Sequence, residues 1–133
     1  MKIAEDLIRE STGVFITVAP QTKLIKAVEI MVENKTGALP EDTLALAEWL
    51  NSCEYLKLNG LMTMGPLTGD PELSRPYYRE TRRLFEEITG MHLKNATMEM
   101  LSMGMSADFE KAIAFGATHL RVGSAIFGDR VYT

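Results

Sequence analysis

Between Met98 and Gly128 the sequence states one local plan twice: a short apolar run, a turn built on glycine and serine, then the start of a helix. Met98–Ser102 leads through Met103-Gly104-Met105 into a helix expected from Ser106 to about Phe115, and His119–Val122 leads through Gly123-Ser124 into a short helix at Ala125–Phe127. A strand that feeds a crossover helix returns to the same edge and meets its successor in parallel. Ser106 reads as an N-cap, Asp108 as a carboxylate favoured by the first-turn dipole, and Gly116 as a C′ residue.

The rest of the chain repeats the alternation. Met1–Glu10 places Ile3, Leu7 and Ile8 on one helical face, and Val14–Ala19 is β-branched and aromatic, a buried-strand pattern ended by Pro20. Leu24–Val32 reads as helix or strand. From Leu39 the reading is clearer. Pro40-Glu41-Asp42 opens a helix whose buried stripe is Leu44, Leu46, Ala47 and Leu50, with Trp49 packed alongside. Leu56–Met64 is the next strand, running into Gly65-Pro66 and an exposed loop to Ser74 rich in Gly, Pro and Asp. Arg75–Thr89 is an amphipathic helix on Tyr78, Leu84, Phe85 and Ile88, ended by Gly90. Strands alternating with helices in this way indicate a parallel α/β architecture.

Length limits how far that architecture goes. A closed eight-stranded barrel of this kind takes about 250 residues, and this chain has 133. Five strands are expected, or six if Val28–Val32 is one, so the barrel is incomplete and its open edges invite pairing with a second copy. A net charge of −4 gives no reason to expect nucleic acid or an anionic membrane, and the arginines of 75–83 are interleaved with glutamates as on a solvated face. No apolar run is long enough to span a bilayer, and the single cysteine, Cys53, is consistent with a cytoplasmic setting. His92 and His119 are too few and too far apart to suggest a metal site. Most methionines fall on or beside strands, where core packing accounts for them.

The tandem turns also suggest a ligand. Glycine lets backbone approach an anion, and N–H groups at a helix start point at it, so two adjacent strand-to-helix turns can aim several amides at one phosphate. In parallel barrels such a site lies in the loops after the last two strands. Arg121, two residues before Gly123, shares a face with that turn. The plainer reading is that Gly104 and Gly123 only make tight turns and Arg121 is a surface charge.

LSMGMSADFEKAIAFGATHLRVGSAIFGDR, with NGLMTMG at 59–65 and KTGALPEDT at 35–43, resembles the pyridoxal-phosphate homeostasis proteins, whose fold is similar to the N-terminal barrel of alanine racemase. The resemblance implies one shortened barrel domain over 1–133, with an atypical part at 1–34 and a family-like C-terminal half at 35–133. It implies that Ser106, Gly123 and Ser124 hold the phosphate of pyridoxal 5′-phosphate. Ser102, Met103 and Gly104 would line the same turn, and Arg121 would face the pyridine nitrogen. Ser124 stands where threonine is more usual and keeps the hydroxyl.

The covalent anchor is open between two alignments. If 14–30 matches the family's first strand, Gln21 falls at the lysine that forms the Schiff base, and Lys23 is its neighbour. If 26–35 matches a middle strand, the first half is missing or replaced. Glutamine cannot form the link; a lysine amine can. Arginine opposite the ring nitrogen leaves it unprotonated and the cofactor a poor electron sink, so the expectation is a non-catalytic carrier. A racemase-like fragment would need a base from weak offers such as Tyr77, Tyr78 or His119, and a relic without cofactor function is the third reading.

Overall fold

The computed structural model describes residues 40–66 and 68–131. The expected helix at 1–10, the strand at 14–19, both alignments of 20–35 and Lys23 lie outside the described residues. Within them the order is α1 (Pro40–Leu50), β1 (Leu58–Met62), a 3₁₀ turn (Pro71–Ser74), α2 (Arg75–Gly90), β2 (Ala96–Met105), α3 (Phe109–Ala114), β3 (His119–Arg121) and α4 (Ser124–Phe127). The three strands form one sheet in the order β1-β2-β3, and both pairings are parallel. These are the last three strands expected from the sequence.

The core lies between the sheet and its helices. Leu50 and Ala47 from α1, Tyr78, Leu84 and Ile88 from α2, Leu58 and Leu61 from β1, and Leu101 and Met103 from β2 are all buried. Spacing explains the selection. Tyr78, Thr81, Leu84 and Ile88 recur every three or four residues and form the buried stripe of α2. Its opposite face carries the ion pairs Arg82–Glu86, Arg83–Glu80 and Arg83–Glu87, the solvated face expected from the sequence. Trp49 is a correction. It does not pack alongside the α1 stripe but stands 45% exposed, because it neighbours Leu50 by one residue and so points about 100° away from it.

Polar side chains join the elements. Asn95, at the mouth of β2, donates from Nδ2 to the carbonyls of Asn51 and Cys53 at 3.2 and 2.6 Å, and its N–H donates to Asn51 Oδ1 at 3.0 Å. That satisfies carbonyls left open where α1 ends. The far end of the loop after β1 takes up regular structure as the 3₁₀ turn. Asp70 caps the 3₁₀ turn by accepting from the Glu72 N–H at 3.0 Å, and Ser74 at its end is buried.

β2 is twice as long as expected and is the central strand. Its pairing with β3 runs from Ser102↔His119 to Met105↔Arg121, three residues against two, so β2 bulges between them. A bulge bends its strand and re-aims the residues beyond it. Here it delivers Met105 and Ser106 to the C-terminal end of β3.

Candidate functional site

The two expected turns meet at the C-terminal end of the sheet. Ser106 is the joint. Its Oγ accepts from the Gly123 N–H at 3.0 Å and from the Ala125 N–H at 3.2 Å. The sequence reading of Ser106 as a helix cap is therefore corrected: α3 begins at Phe109 after Asp108, and the hydroxyl serves the neighbouring turn. The reason is the bulge, which moves Ser106 off the axis of α3 and onto the start of α4. One oxygen held by two convergent amides is the arrangement an anion takes at such a place.

Gly104 sits in the bulge with φ of +100°, a backbone setting L side chains rarely adopt. A Cβ there would lie 2.7 Å from Ala112 Cβ and 3.0 Å from Phe109 Cα, so glycine is also what lets α3 close on β2. At Gly123 the surroundings differ. A Cβ would meet no protein atom within 4 Å, so the space over this turn belongs to no side chain among the described residues. Gly116 ends α3 as expected, with φ of +87°.

Of the other expected residues, Ser102 lies on β2 opposite Met62 and His119, and its carbonyl accepts from the Thr63 N–H at 3.1 Å. The Met103 side chain is fully buried in the core, so of Met103 only backbone is left to line the turn. Ser124 opens α4 and is exposed; its carbonyl accepts from the Gly128 N–H at 2.8 Å.

Arg121 is not a surface charge. Its Nη2 donates to the Thr63 carbonyl at 2.7 Å, and Nη1 approaches Met62 Sδ at 3.3 Å, a weak acceptor. Its Nε is buried and has no hydrogen-bond partner among the described residues. Burial lowers the pKa of the guanidinium, while Tyr78 and Asp108 favour its charge. It remains a cation.

The sequence reads two residues here in other roles, Tyr78 in the α2 stripe and Asp108 as a first-turn carboxylate, whereas Asp108 precedes α3 and turns its side chain to the neighbouring elements. Asp108 accepts from Ser74 Oγ at 2.6 Å and from the Met105 N–H at 2.8 Å. Burial works to raise its pKa, but the hydrogen bonds from Ser74 and Met105, with the Tyr78 phenol and Arg121 nearby, outweigh it and hold the carboxyl below the usual range. Tyr78 is fully buried, and burial, reinforced by Asp108, raises its phenol well above the ordinary value. Such a phenol is a poor base at neutral pH. Ser74 and Asp108 are 34 residues apart in sequence, so no local pattern announces the pair.

Known proteins extend this picture. Relatives named pyridoxal phosphate homeostasis protein include one of Aquifex aeolicus, 43% identical over 100 residues and covering 75% of this chain and 43% of that one, and one of Homo sapiens, 40% identical over 103 residues and covering 76% and 38%. The chain thus spans less than half the length of the curated relatives it matches. Among solved structures, PipY of Synechococcus elongatus with PLP bound superposes with a TM-score of 0.60 at 32% identity, covering 69% of this chain and 43% of PipY. The family model for the alanine racemase N-terminal domain matches residues 18–131, a stretch that includes both turns, Ser106 and Arg121. This chain belongs to the alanine racemase N-terminal domain family.

Proposed function

We propose that the chain binds pyridoxal 5′-phosphate without turning it over and serves cofactor homeostasis. The observation that carries this reading is Arg121 Nε, a buried donor without a partner among the described residues, on the strand that runs into the Gly123 turn. An unsatisfied buried donor costs roughly 1–3 kcal/mol, more when charged. A pyridine nitrogen is the acceptor it lacks. The residues at the turns suit the rest of the cofactor: Ser106, its hydroxyl held by the Gly123 and Ala125 amides, with the open space over Gly123 and the Ser124 hydroxyl, for the phosphate, and the backbone of Ser102, Met103 and Gly104 behind them.

When bound, the cofactor supplies an aldehyde and an electron sink. Arg121, being permanently protonated, keeps the ring nitrogen an acceptor and the sink weak. Tyr78 offers no base, since its hydroxyl is buried and its proton held tightly. Holding rather than converting is what these side chains support. Lys23 is the proposed covalent anchor and lies outside the described residues.

The finer architecture belongs to the same reading. We take β1–β3 as an arc of an incomplete barrel of five or six strands. Leu120, Ile126 and Phe127 are exposed beside β3, which among the described residues pairs on one edge only, and a second copy is the expected partner. The free thiol of Cys53 suits a cytoplasmic setting.

Spectrophotometric titration with pyridoxal phosphate, before and after borohydride, tests the function. Saturable binding is expected, with a reduced adduct mapped to Lys23 by peptide mass spectrometry. Arg121→Ala should weaken affinity about tenfold or more, the equivalent of about 1.4 kcal/mol. No saturable binding by the wild type would end the proposal, and binding without an adduct would remove Lys23 from it.

A further inference from the structure

The turn that carries Ser106 is closed by one side chain. Asp108 donates its N–H to the Met105 carbonyl at 3.1 Å, and Met105 donates its N–H back to Asp108 Oδ1 at 2.8 Å. Ser106 lies inside this reciprocal pair, with its hydroxyl on the Gly123 and Ala125 amides. The second carboxylate oxygen, Oδ2, reaches away from the turn and accepts from Ser74 Oγ at 2.6 Å. Ser74 is 1% exposed and sits at the end of the 3₁₀ turn, on the entrance to α2, so it is a fixed point. Gly65 makes room for this bond. A Cβ at 65 would collide with Ser74 Oγ and come within 3.2 Å of Asp108 Oδ2. Tyr78 from α2 and Arg121 from β3 face the same carboxylate.

The consequence is mechanical. Ser106 is joined to the sheet by a bulged strand on one side and by the short α3 on the other. Neither fixes the height of its hydroxyl over the β3 end. A carboxylate bonded to the turn at one oxygen and to the α2 layer at the other does. We propose that Asp108 is a positioning residue for the phosphate turns, holding Met105 against Ser74 so that the Ser106 hydroxyl stays in register with the Gly123 and Ala125 amides. This rests on the proposed phosphate site and goes beyond it by naming what aligns that site from outside.

The test uses ¹⁵N-labelled, ligand-free protein together with paired affinities for pyridoxal phosphate and for pyridoxal, which lacks the phosphate. Ser106→Ala marks the amide shifts that accompany loss of the hydroxyl. Asp108→Ala should move the Gly123 and Ala125 resonances in the same direction. It should also cut the preference for the phosphorylated ligand about tenfold, in the range of a hydrogen bond to a charged group. Asp108→Asn keeps an oxygen for the Met105 N–H and should recover most of the preference. A purely structural role would lower the melting temperature and leave both the amides and the preference unmoved; that result overturns the proposal. Should Asp108→Ala fail to fold, Ser74→Ala decides, because it removes the fixed point for Oδ2: wild-type amide shifts and wild-type preference there overturn it equally. A wild type with no preference for the phosphorylated ligand sinks the phosphate reading instead, and the ligand-free amide shifts still judge Asp108.

Discussion

The two ends of the described chain are held together by different means. From Pro40 to Leu101 the structure is a layered core, with apolar side chains of α1, α2 and β1 closing over the sheet. Beyond Leu101 the only buried apolar side chains among the described residues are Met103 and Ala112, while Ile126, Phe127 and Val131 are 68%, 85% and 87% exposed. There the chain is shaped by hydrogen bonds: Ser106 to two amides, Asp108 to a hydroxyl and an amide, Arg121 to a carbonyl just past β1. Burial is tolerant of side-chain identity so long as volume is kept. A hydrogen-bonded turn is not, because each partner is placed by one atom. The first region is held by burial, and the second by single hydrogen bonds.

The sharpest way to break this contrast is to delete one side chain from each region. Leu101→Ala, at a fully buried site on the central strand, should cost about 2–5 kcal/mol in urea denaturation. Phe127→Ala should stay within about 0.5 kcal/mol, as exposed substitutions do. Equal effects would mean that α4 is packed as tightly as the core.

A second measurement uses acid. Asp108 is held below its ordinary value of 3.8, so its ionised form is favoured by the folded state. The stability it contributes is present above the unfolded pKa and is lost as pH falls through the lower folded one. Melting temperatures between pH 7 and 3 should therefore decline less steeply for Asp108→Asn than for the wild type. An unchanged acid limb would show that the Ser74, Tyr78, Met105 and Arg121 surroundings do not act on this group.

The smallest effect is expected on the outer face of α2. Arg83→Ala removes ion pairs to Glu80 and Glu87, yet all three side chains are well exposed and screened. Its melting temperature should match the wild type in high salt. A clear loss there would promote that face to a structural role.

Much of the layered region was legible from periodicity. Pro40 opens α1 as expected, the Tyr78–Leu84–Ile88 stripe is the buried face of α2, and Gly123 lies at the turn into α4, whereas Met103-Gly104-Met105, expected as a turn, continues β2. What stayed hidden was long-range. Ser106 looks like a cap because serine before an acidic first turn usually is one, and only the bulge in β2 redirects it. Trp49 carries enough apolar surface to suggest burial, but its angular position on α1 decides otherwise. Arg121 reaches a carbonyl 58 residues back, and Asp108 a hydroxyl 34 residues back; tertiary approach brings these together, and no spacing rule encodes it.

The unequal spans of the two strand pairings bear on assembly. β1 meets β2 across 40 residues, Gly60 to Met100, whereas β2 meets β3 across 17, Ser102 to His119. Loop closure grows slowly with length, by only roughly 0.6 kcal/mol per doubling, so the shorter span gives β3 little head start. The buried side chains concentrate on the longer-range pair, with Leu58 and Leu61 of β1 against Leu101 and Met103 of β2. Were the β1–β2 pair to form first, the Ser106 and Gly123 turns would order last, on a finished edge. A ligand that bridges those turns would act chiefly by slowing their local opening.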